Sequence, residues 1–156
     1  MSTAAHIQTY LDRHRAAVQD LDVAAISALA TTIRTRLNTA AKIFVLGNGG
    51  SAAAAAHLAV DLCHSVRGPG GQRLRVLCPT DSSALLTARA NDGGYDDVFV
   101  EALRDQLDRG DLVIALSTSG ESENIVRALA HARDEGAETF GILGAQGGRA
   151  RMLCDH

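Results

Sequence analysis

Four short β-rich runs alternate with longer helical stretches in the part of the sequence that follows Ala41. Alternation of strand and helix is typical of a parallel sheet, because each strand needs a crossover before the next can lie beside it. The runs are almost wholly apolar, which indicates strands covered by helices on both faces. The right-handed rule for crossovers then predicts an α/β fold with a doubly wound parallel sheet. The predicted strands are residues 42–46, 74–78, 112–116 and 139–143.

Two helices are predicted ahead of the sheet, over residues 6–21 and 22–40. Apolar residues in the second recur at three- and four-residue steps and form one stripe. The stripe packs on the domain's own sheet, or it packs against another subunit as well, and both alternatives are open. At 156 residues the chain suits a single domain, with an α/β core over 40–156 and helices over 1–39. The stripe consists of Val23, Ile26, Ala30, Ile33 and Leu37.

Composition argues against several classes of protein. Charged residues interrupt the apolar stretches before they reach about 18 residues, and no signal-peptide pattern is present, so we expect a soluble, cytoplasmic protein that does not bind membranes. A net charge of -3, a single lysine and 3% aromatic residues argue against nucleic acid as a partner. The unclustered cysteines, Cys63, Cys78 and Cys154, fit neither a disulfide framework nor a zinc ribbon.

The first predicted strand runs into a glycine-rich turn, Gly47-Asn48-Gly49-Gly50-Ser51, and then directly into an alanine-rich helix. Free backbone N–H groups and the positive end of a helix converge at such a turn, which outlines an anion site. Glycine permits close approach of the backbone, and Ser51 adds a hydroxyl donor. A tight connection without a ligand is the alternative, and the turn taken alone leaves it open.

The third predicted strand is followed by Ser117-Thr118-Ser119-Gly120, with Ser122 at the expected start of a helix. Capping by Ser119 or Ser122 is one interpretation, but a cap needs only one hydroxyl and this segment carries four. Both turns follow strands of one parallel sheet, so they open at the same edge. There we expect them to hold a phosphate from one side and a polyol from the other.

Two nucleotide-binding classes fit the sequence poorly. Neither turn contains a lysine, so the G-x-x-x-x-G-K-[ST] loop is absent and triphosphate transfer is not expected. Gly47-x-Gly49-x-x-Ala52 satisfies a loose dinucleotide fingerprint. The second strand nevertheless ends at Cys78 without the acidic residue that would bind a ribose, so a nicotinamide cofactor is a distant alternative. Uncharged donors favour a monophosphate.

On the helix that follows the glycine-rich turn, His57 and Asp61 are four residues apart and share one face. A histidine and a carboxylate at this spacing can bind a divalent metal with partners from elsewhere, or act as an acid/base pair beside a sugar carbonyl. A hydrogen bond on the helix surface is the alternative. His64, three residues further on, is expected to be a surface residue.

These motifs, with a predicted turn between helices at residues 91–94, form an ordered set along the chain. The set resembles the SIS (sugar isomerase) domain family, and within it the sedoheptulose 7-phosphate isomerases. The resemblance implies a flavodoxin-like SIS fold, a homotetramer and active sites at subunit interfaces. The implied reaction is the aldose–ketose isomerisation of D-sedoheptulose 7-phosphate to a D-glycero-heptopyranose 7-phosphate, through an enediol.

The same resemblance implies roles for single residues. His57 matches a zinc-binding histidine, so zinc is the implied cofactor. Asp61 falls where the family has a glutamate that both meets zinc and acts as the catalytic acid/base. Contacts with the substrate are implied for Asn48, Gly49, Gly50, Ser51, Asp61, Asn91 and Asp92, and contacts with its phosphate for Ser117, Thr118, Ser119 and Ser122.

The sequence departs from the family pattern in two places. Aspartate at position 61 is one methylene shorter than glutamate, on the order of 1 Å, and a misplacement of that size can cost roughly 100-fold in rate. Family members also continue past the position of Asp155 with a strand and a helix that carries a glutamine and a histidine of the active site. The sequence stops at His156, so it is either a fragment of a longer protein or a protein that lacks these elements, and both alternatives are open. The alternative function is therefore a non-catalytic SIS module that binds a phosphosugar or a protein partner.

Overall fold

The computed structural model describes residues 1–144 and 146–156 and confirms the α/β fold with a parallel sheet. The strands pair in the order β2-β1-β3-β4, where β1 is Lys42–Gly47, β2 is Arg75–Leu77, β3 is Leu112–Ser117 and β4 is Glu138–Leu143. The α-helices are α1 (Thr3–Gln19), α2 (Val23–Thr35), α3 (Gly49–Ser65), α4 (Ser83–Gly93), α5 (Val98–Arg104) and α6 (Glu123–Asp134). Short 3₁₀ helices cover Arg36–Asn38, Tyr95–Asp97 and Arg149–Leu153.

Helices cover both faces of the sheet, as the apolar strands predict. Alternate residues of β1 point to opposite faces: Phe44 and Leu46 pack with α5 and α6, and Ile43 and Val45 pack with α2 and α3. Full burial of such a side chain stabilises the fold by about 1.5–3 kcal/mol. The two central strands, β1 and β3, are therefore held rigidly, and the turns that leave their carboxyl ends start from fixed positions.

The two N-terminal helices differ in how they contact the core. In α2, Ile33 is buried against the sheet, whereas Val23 and Ile26 are 75% and 50% exposed. Among the described residues α1 buries none of its side chains. The apolar stripe of α2 thus packs on the domain only at its C-terminal end. No single described helix is long and apolar enough to cross a membrane. The helix α1 and residues 23–38 reach that length and apolar character only when taken together, and the chain bends by 64° between them.

A buried charge cluster joins β1 and β3 at their amino ends. Asp111, 1% exposed, accepts hydrogen bonds from the backbone N–H of Lys42 (2.7 Å) and of Asp108 (2.9 Å). Its carboxylate also lies 3.1 Å from Lys42 Nζ, and Asp108 pairs with the same ammonium. Lys42 is the chain's single lysine, and its side chain is 8% exposed. The cluster fixes the edge of the sheet opposite the two glycine- and hydroxyl-rich turns.

The predicted turn at residues 91–94 is wrong in its start, because α4 continues through Gly93. The side chain of Ser82 caps the helix by accepting from Leu85 N–H (3.3 Å). Gly94 caps the end of the helix, with a φ of +88° that is accessible to glycine and costly for most other residues. Asn91 and Asp92 consequently lie in the last turn of a helix.

Candidate functional site

The turn after β1 is tight because glycine occupies its two critical positions. A Cβ at Gly47 would lie 2.5 Å from the carbonyl oxygen of Ser51, and Gly49 has a φ of +52°. The chain therefore passes from strand to helix α3 with only Asn48 between them. The first N–H groups of α3 have no partner within the helix, which makes this end attractive to an anion.

The turn after β3 is organised by its own hydroxyl groups. Ser117 Oγ, which is buried, accepts from Gly120 N–H (3.0 Å), and Ser119 Oγ accepts from Glu121 N–H (3.2 Å). Ser122 occupies the N-cap position of α6 without a side-chain cap hydrogen bond. Helix capping therefore does not account for the hydroxyls, and those of Ser119 and Ser122 retain their hydrogens for a ligand.

The two turns face one cavity at the carboxyl edge of the sheet. The cavity has a volume of about 400 Å³, and Ser51 from the first turn lies in its wall with Ser119 from the second. No charged side chain belongs to the described lining. The polar groups that the described lining offers to a ligand are therefore neutral hydroxyls and amides. The lining residues are Asn48, Ser51, Leu116, Ser117, Thr118, Ser119 and Ser122.

Asn124 and Tyr95 form hydrogen bonds with Asn48 in the wall of this cavity, and the sequence motifs did not include them. Asn124 is 2% exposed and exchanges two hydrogen bonds with the side chain of Asn48, at 2.8 and 3.0 Å. The Tyr95 hydroxyl donates to Asn48 Oδ1 at 2.9 Å. One sequence signal could have found Asn124, since it lies four residues before Ala128 on the apolar face of α6.

Charged residues brace the second turn from outside the cavity. Arg149 donates to Glu121 (2.9 Å) and to Glu123 (2.9 Å), and Arg127 donates to Glu123 (2.8 Å). The hydrogen bond from Arg149 holds the pKa of Glu121 below its usual value. The pKa of Glu123 is lowered by hydrogen bonds from Arg127 and then from Arg149. These carboxylates stay ionised at neutral pH, and their ion pairs with Arg149 and Arg127 stabilise the conformation of the turn after β3.

His57 and Asp61 lie on the solvent-facing side of α3 and do not line the cavity. Their side chains are 78% and 62% exposed, and His57 Nε2 lies 3.6 Å from Asp61 Oδ2. At a rise of about 1.5 Å per residue, His57 is roughly 12 Å and Asp61 roughly 18 Å along the helix from Gly49. Within one chain the pair forms a contact on the helix surface, and its catalytic and metal-binding roles stay predictions.

The remaining predicted residues also lie outside the described lining. Asn91 Nδ2 donates to Asp92 Oδ1 (2.9 Å), and both side chains are exposed. Asp92 borders a different groove, between α4 and α5. Gly49 and Gly50 are exposed at the start of α3, next to Ser51. The structure thus brings together the polar residues that follow β1 and β3. The other predicted site residues, His57, Asp61, Asn91 and Asp92, lie outside the described lining of that cavity.

Comparison with known proteins identifies the class to which this fold and site belong. Residues 8–144 match the SIS domain family, and the chain belongs to that family. Its sequence relatives include the phosphoheptose isomerase of a Nitratiruptor species, 43% identical over 114 residues that make up 73% of this chain and 60% of that protein. The phosphoheptose isomerase of Geobacter metallireducens is 38% identical over 152 residues, 96% of this chain and 80% of the relative.

Solved structures agree with the sequence relatives. Phosphoheptose isomerase from Neisseria gonorrhoeae superposes with a TM-score of 0.84 at 30% identity, over 97% of this chain and 78% of that one. The enzyme from Francisella tularensis gives 0.88 at 24% identity, over 99% and 82%, a likeness of fold alone. The chain spans about 60% of the length of the first curated relatives that it matches.

Proposed function

We propose that the protein is a sugar-phosphate isomerase that converts D-sedoheptulose 7-phosphate to a D-glycero-heptopyranose 7-phosphate. The observation that carries the proposal is the cavity where hydroxyl and amide donors from the ends of β1 and β3 converge. The sequence relatives, which are phosphoheptose isomerases, support the choice of a seven-carbon sugar. A phosphorylated polyol needs donors for its phosphate and donors for its hydroxyl oxygens, and the two turns that line this cavity offer both.

The phosphate binds to the turn after β3. Ser119 and Ser122 donate hydroxyl hydrogens, and the start of the 12-residue helix α6 adds a favourable field for an anion. The sugar extends toward Asn48 and Ser51, whose donors suit the oxygens of a polyol.

The reaction moves a proton between carbons 2 and 1 of the bound sugar through an enediol, which requires an acid/base group. Asp61 is the proposed group. Its position roughly 18 Å along α3 from Gly49 is too distant for the cavity of its own chain. The exposed α3 face of a neighbouring copy would supply the carboxylate. This arrangement agrees with the active sites at subunit interfaces that the family resemblance implies.

A homotetramer is the proposed assembly. Ile7, Leu11 and Val18 share one face of α1 and are 53%, 41% and 53% exposed. Val23 and Ile26 extend the exposed apolar surface onto α2. Apolar patches of this kind on a folded domain mark protein–protein interfaces. Sedimentation equilibrium should give four chain masses, and a monomer would contradict the proposal.

The cytoplasm is the proposed location. Cys63, Cys78 and Cys154 are free thiols. Unpaired cysteines are usual in a reducing compartment, whereas oxidising ones favour disulfides. The free thiols therefore support a cytoplasmic location.

Zinc is the proposed cofactor, with His57 and Asp61 as two of its ligands. Tetrahedral zinc ligands about 2 Å from the ion lie on the order of 3.4 Å from one another, and the 3.6 Å between His57 Nε2 and Asp61 Oδ2 fits that spacing. Among the described residues no group of three or more metal-ligating side chains gathers, so further ligands have to come from outside this set. Bound zinc would polarise the sugar oxygens.

Replacing His57 by alanine should remove zinc from the purified protein, because the site loses its imidazole ligand and a tetrahedral zinc site needs a full ligand set. Elemental analysis gives the number of zinc ions per chain in wild type and in the His57→Ala variant. His64→Ala is the matched control on the same helix and should keep its zinc. Equal zinc content in all three proteins would rule out the ligand role of His57.

Loss of the Ser119 hydroxyl should weaken sugar-phosphate binding by about tenfold to a hundredfold, the usual cost of a hydrogen bond to a charged group. Isothermal titration calorimetry of Ser119→Ala with sedoheptulose 7-phosphate measures this. Ser65→Ala, an exposed serine at the end of α3, is the control and should bind like wild type. Unchanged affinity in Ser119→Ala would refute the phosphate assignment.

Incubation with sedoheptulose 7-phosphate tests the reaction itself. Aldose signals should grow in the NMR spectrum with wild type and far more slowly with Asp61→Asn. Tight binding without turnover would instead support the non-catalytic SIS module, which the exposure of His57 and Asp61 outside the cavity favours as the second candidate.

A further inference from the structure

The side chain of Asn48 uses almost all of its hydrogen-bonding capacity on two neighbours. Oδ1 accepts from Asn124 Nδ2 (3.0 Å) and from Tyr95 Oη (2.9 Å), and Nδ2 donates to Asn124 Oδ1 (2.8 Å). An amide oxygen has two lone pairs and an amide nitrogen has two hydrogens. Both lone pairs are therefore occupied, and one N–H of Asn48 remains for a ligand.

The two neighbours come from separate elements, which makes the arrangement stiff. Asn124 is 2% exposed in the first turn of α6, and a buried amide is rarely left without partners. Tyr95 lies in the 3₁₀ helix after α4, with 53% of its surface exposed. Asn48, between β1 and α3, thus ties the first turn to two other parts of the chain, and it lines the cavity.

We propose that Asn124 and Tyr95 are positioning residues that hold the Asn48 amide so that it presents an N–H donor to a sugar oxygen. The inference rests on the proposed function, because it takes the ligand of the cavity to be a sugar phosphate. A fixed N–H donor stabilises an oxygen that gains negative charge, as in an enediolate, without any reorganisation during the reaction. An amide free to rotate would present its carbonyl oxygen to the sugar as readily as its N–H.

Tyr95→Phe is the test variant, because it removes one hydroxyl from a half-exposed side chain and leaves the fold intact. Turnover of sedoheptulose 7-phosphate should fall about tenfold, whereas affinity for inorganic phosphate should stay within about twofold, since the phosphate meets the other turn. Tyr10→Phe is the matched control. It removes the hydroxyl of an exposed tyrosine that has no hydrogen bond among the described residues, and it should behave like wild type.

A double-mutant cycle separates positioning from an independent role. If Tyr95 acts through Asn48, then adding Tyr95→Phe to Asn48→Ala changes the dissociation constant of sedoheptulose 7-phosphate by less than about twofold. The single change Tyr95→Phe should raise that constant several-fold. Asn124→Asp replaces the N–H that donates to Asn48 Oδ1 with an oxygen. Its effect on the dissociation constant should likewise disappear when Asn48 is already alanine. Asn38→Asp, at an exposed position, is the control.

The outcomes distinguish this inference from the proposed function. Coupled effects on binding without any turnover support the positioning role and refute the isomerase. Additive effects, or a Tyr95→Phe variant that matches Tyr10→Phe, overturn the positioning role while wild-type turnover upholds the isomerase. Failure of wild type to bind sedoheptulose 7-phosphate overturns both.

Discussion

The Asp111→Ala variant should lose about 3–5 kcal/mol of its free energy of unfolding, the usual cost of removing one partner of a buried ion pair. The change leaves the Lys42 ammonium without its buried counter-charge. It also leaves the backbone N–H groups of Lys42 and Asp108 without the carboxylate that accepts from them. Urea unfolding followed by circular dichroism measures the loss, with the slope of the transition expected to stay unchanged.

Asp108→Ala is the control for this prediction. Asp108 pairs with the same lysine, but its side chain is 80% exposed, so the loss should be much smaller. Equal losses in the two variants would mean that the buried position of Asp111 has no special importance.

The same cluster predicts how stability depends on pH. Burial alone lowers the pKa of Lys42, but hydrogen bonds to Asp108 and Asp111 outweigh it, and the pKa lies above its usual value. A folded-state pKa above the unfolded one stabilises the protein fully below the unfolded pKa of about 10.4, and this contribution is lost as the pH rises through the folded pKa. The difference between wild type and Asp111→Ala should therefore narrow above about pH 10.

The Gly120→Ala variant should lose sugar-phosphate affinity by about 100-fold or more. Gly120 has a φ of +69°, and a Cβ there would collide with the carbonyl oxygen of Gly147. The backbone must shift, and Ser119 on one side and Ser122 on the other would move with it. A displacement of roughly 1 Å in a binding turn has effects of this size. Titration calorimetry of the folded variant with sedoheptulose 7-phosphate measures the loss.

Gly71→Ala is the matched control. Gly71 has a similar φ of +77°, but a Cβ there meets nothing within 4 Å, and the loop lies away from the cavity. Its cost is the backbone conformation alone, on the order of 1–2 kcal/mol of stability, with wild-type affinity retained. Wild-type affinity in a folded Gly120→Ala protein would show that the close approach of Gly120 to Gly147 is unimportant for binding.

The sequence predicted the sheet well because the signals for it are local. Apolar runs such as 42–46 and 112–116 correspond to β1 and β3 with changes of one residue. The turns at the ends of these strands were also predictable, since glycine and clustered hydroxyls mark them. Parallel pairing then places both turns at one edge, which the structure confirms.

Other parts of the site depend on contacts between distant residues, which no local pattern encodes. Asn48 meets Asn124 across 76 positions of sequence, and Tyr95 across 47. Lys42 and Asp111 are likewise 69 positions apart. The spacing of His57 and Asp61 correctly predicts a shared helix face, but it carries no information about which way that face points. Only packing decides that α3 turns these side chains to solvent.

We expect a sugar phosphate to bind between the turns that end β1 and β3, and NMR titration with sedoheptulose 7-phosphate is the decisive test of this binding site. The largest shifts in backbone amide signals should fall on residues 48–51 and 117–122. Shifts that concentrate instead on the opposite edge of the sheet, around Lys42 and Asp111, or that spread evenly over the surface, would contradict it.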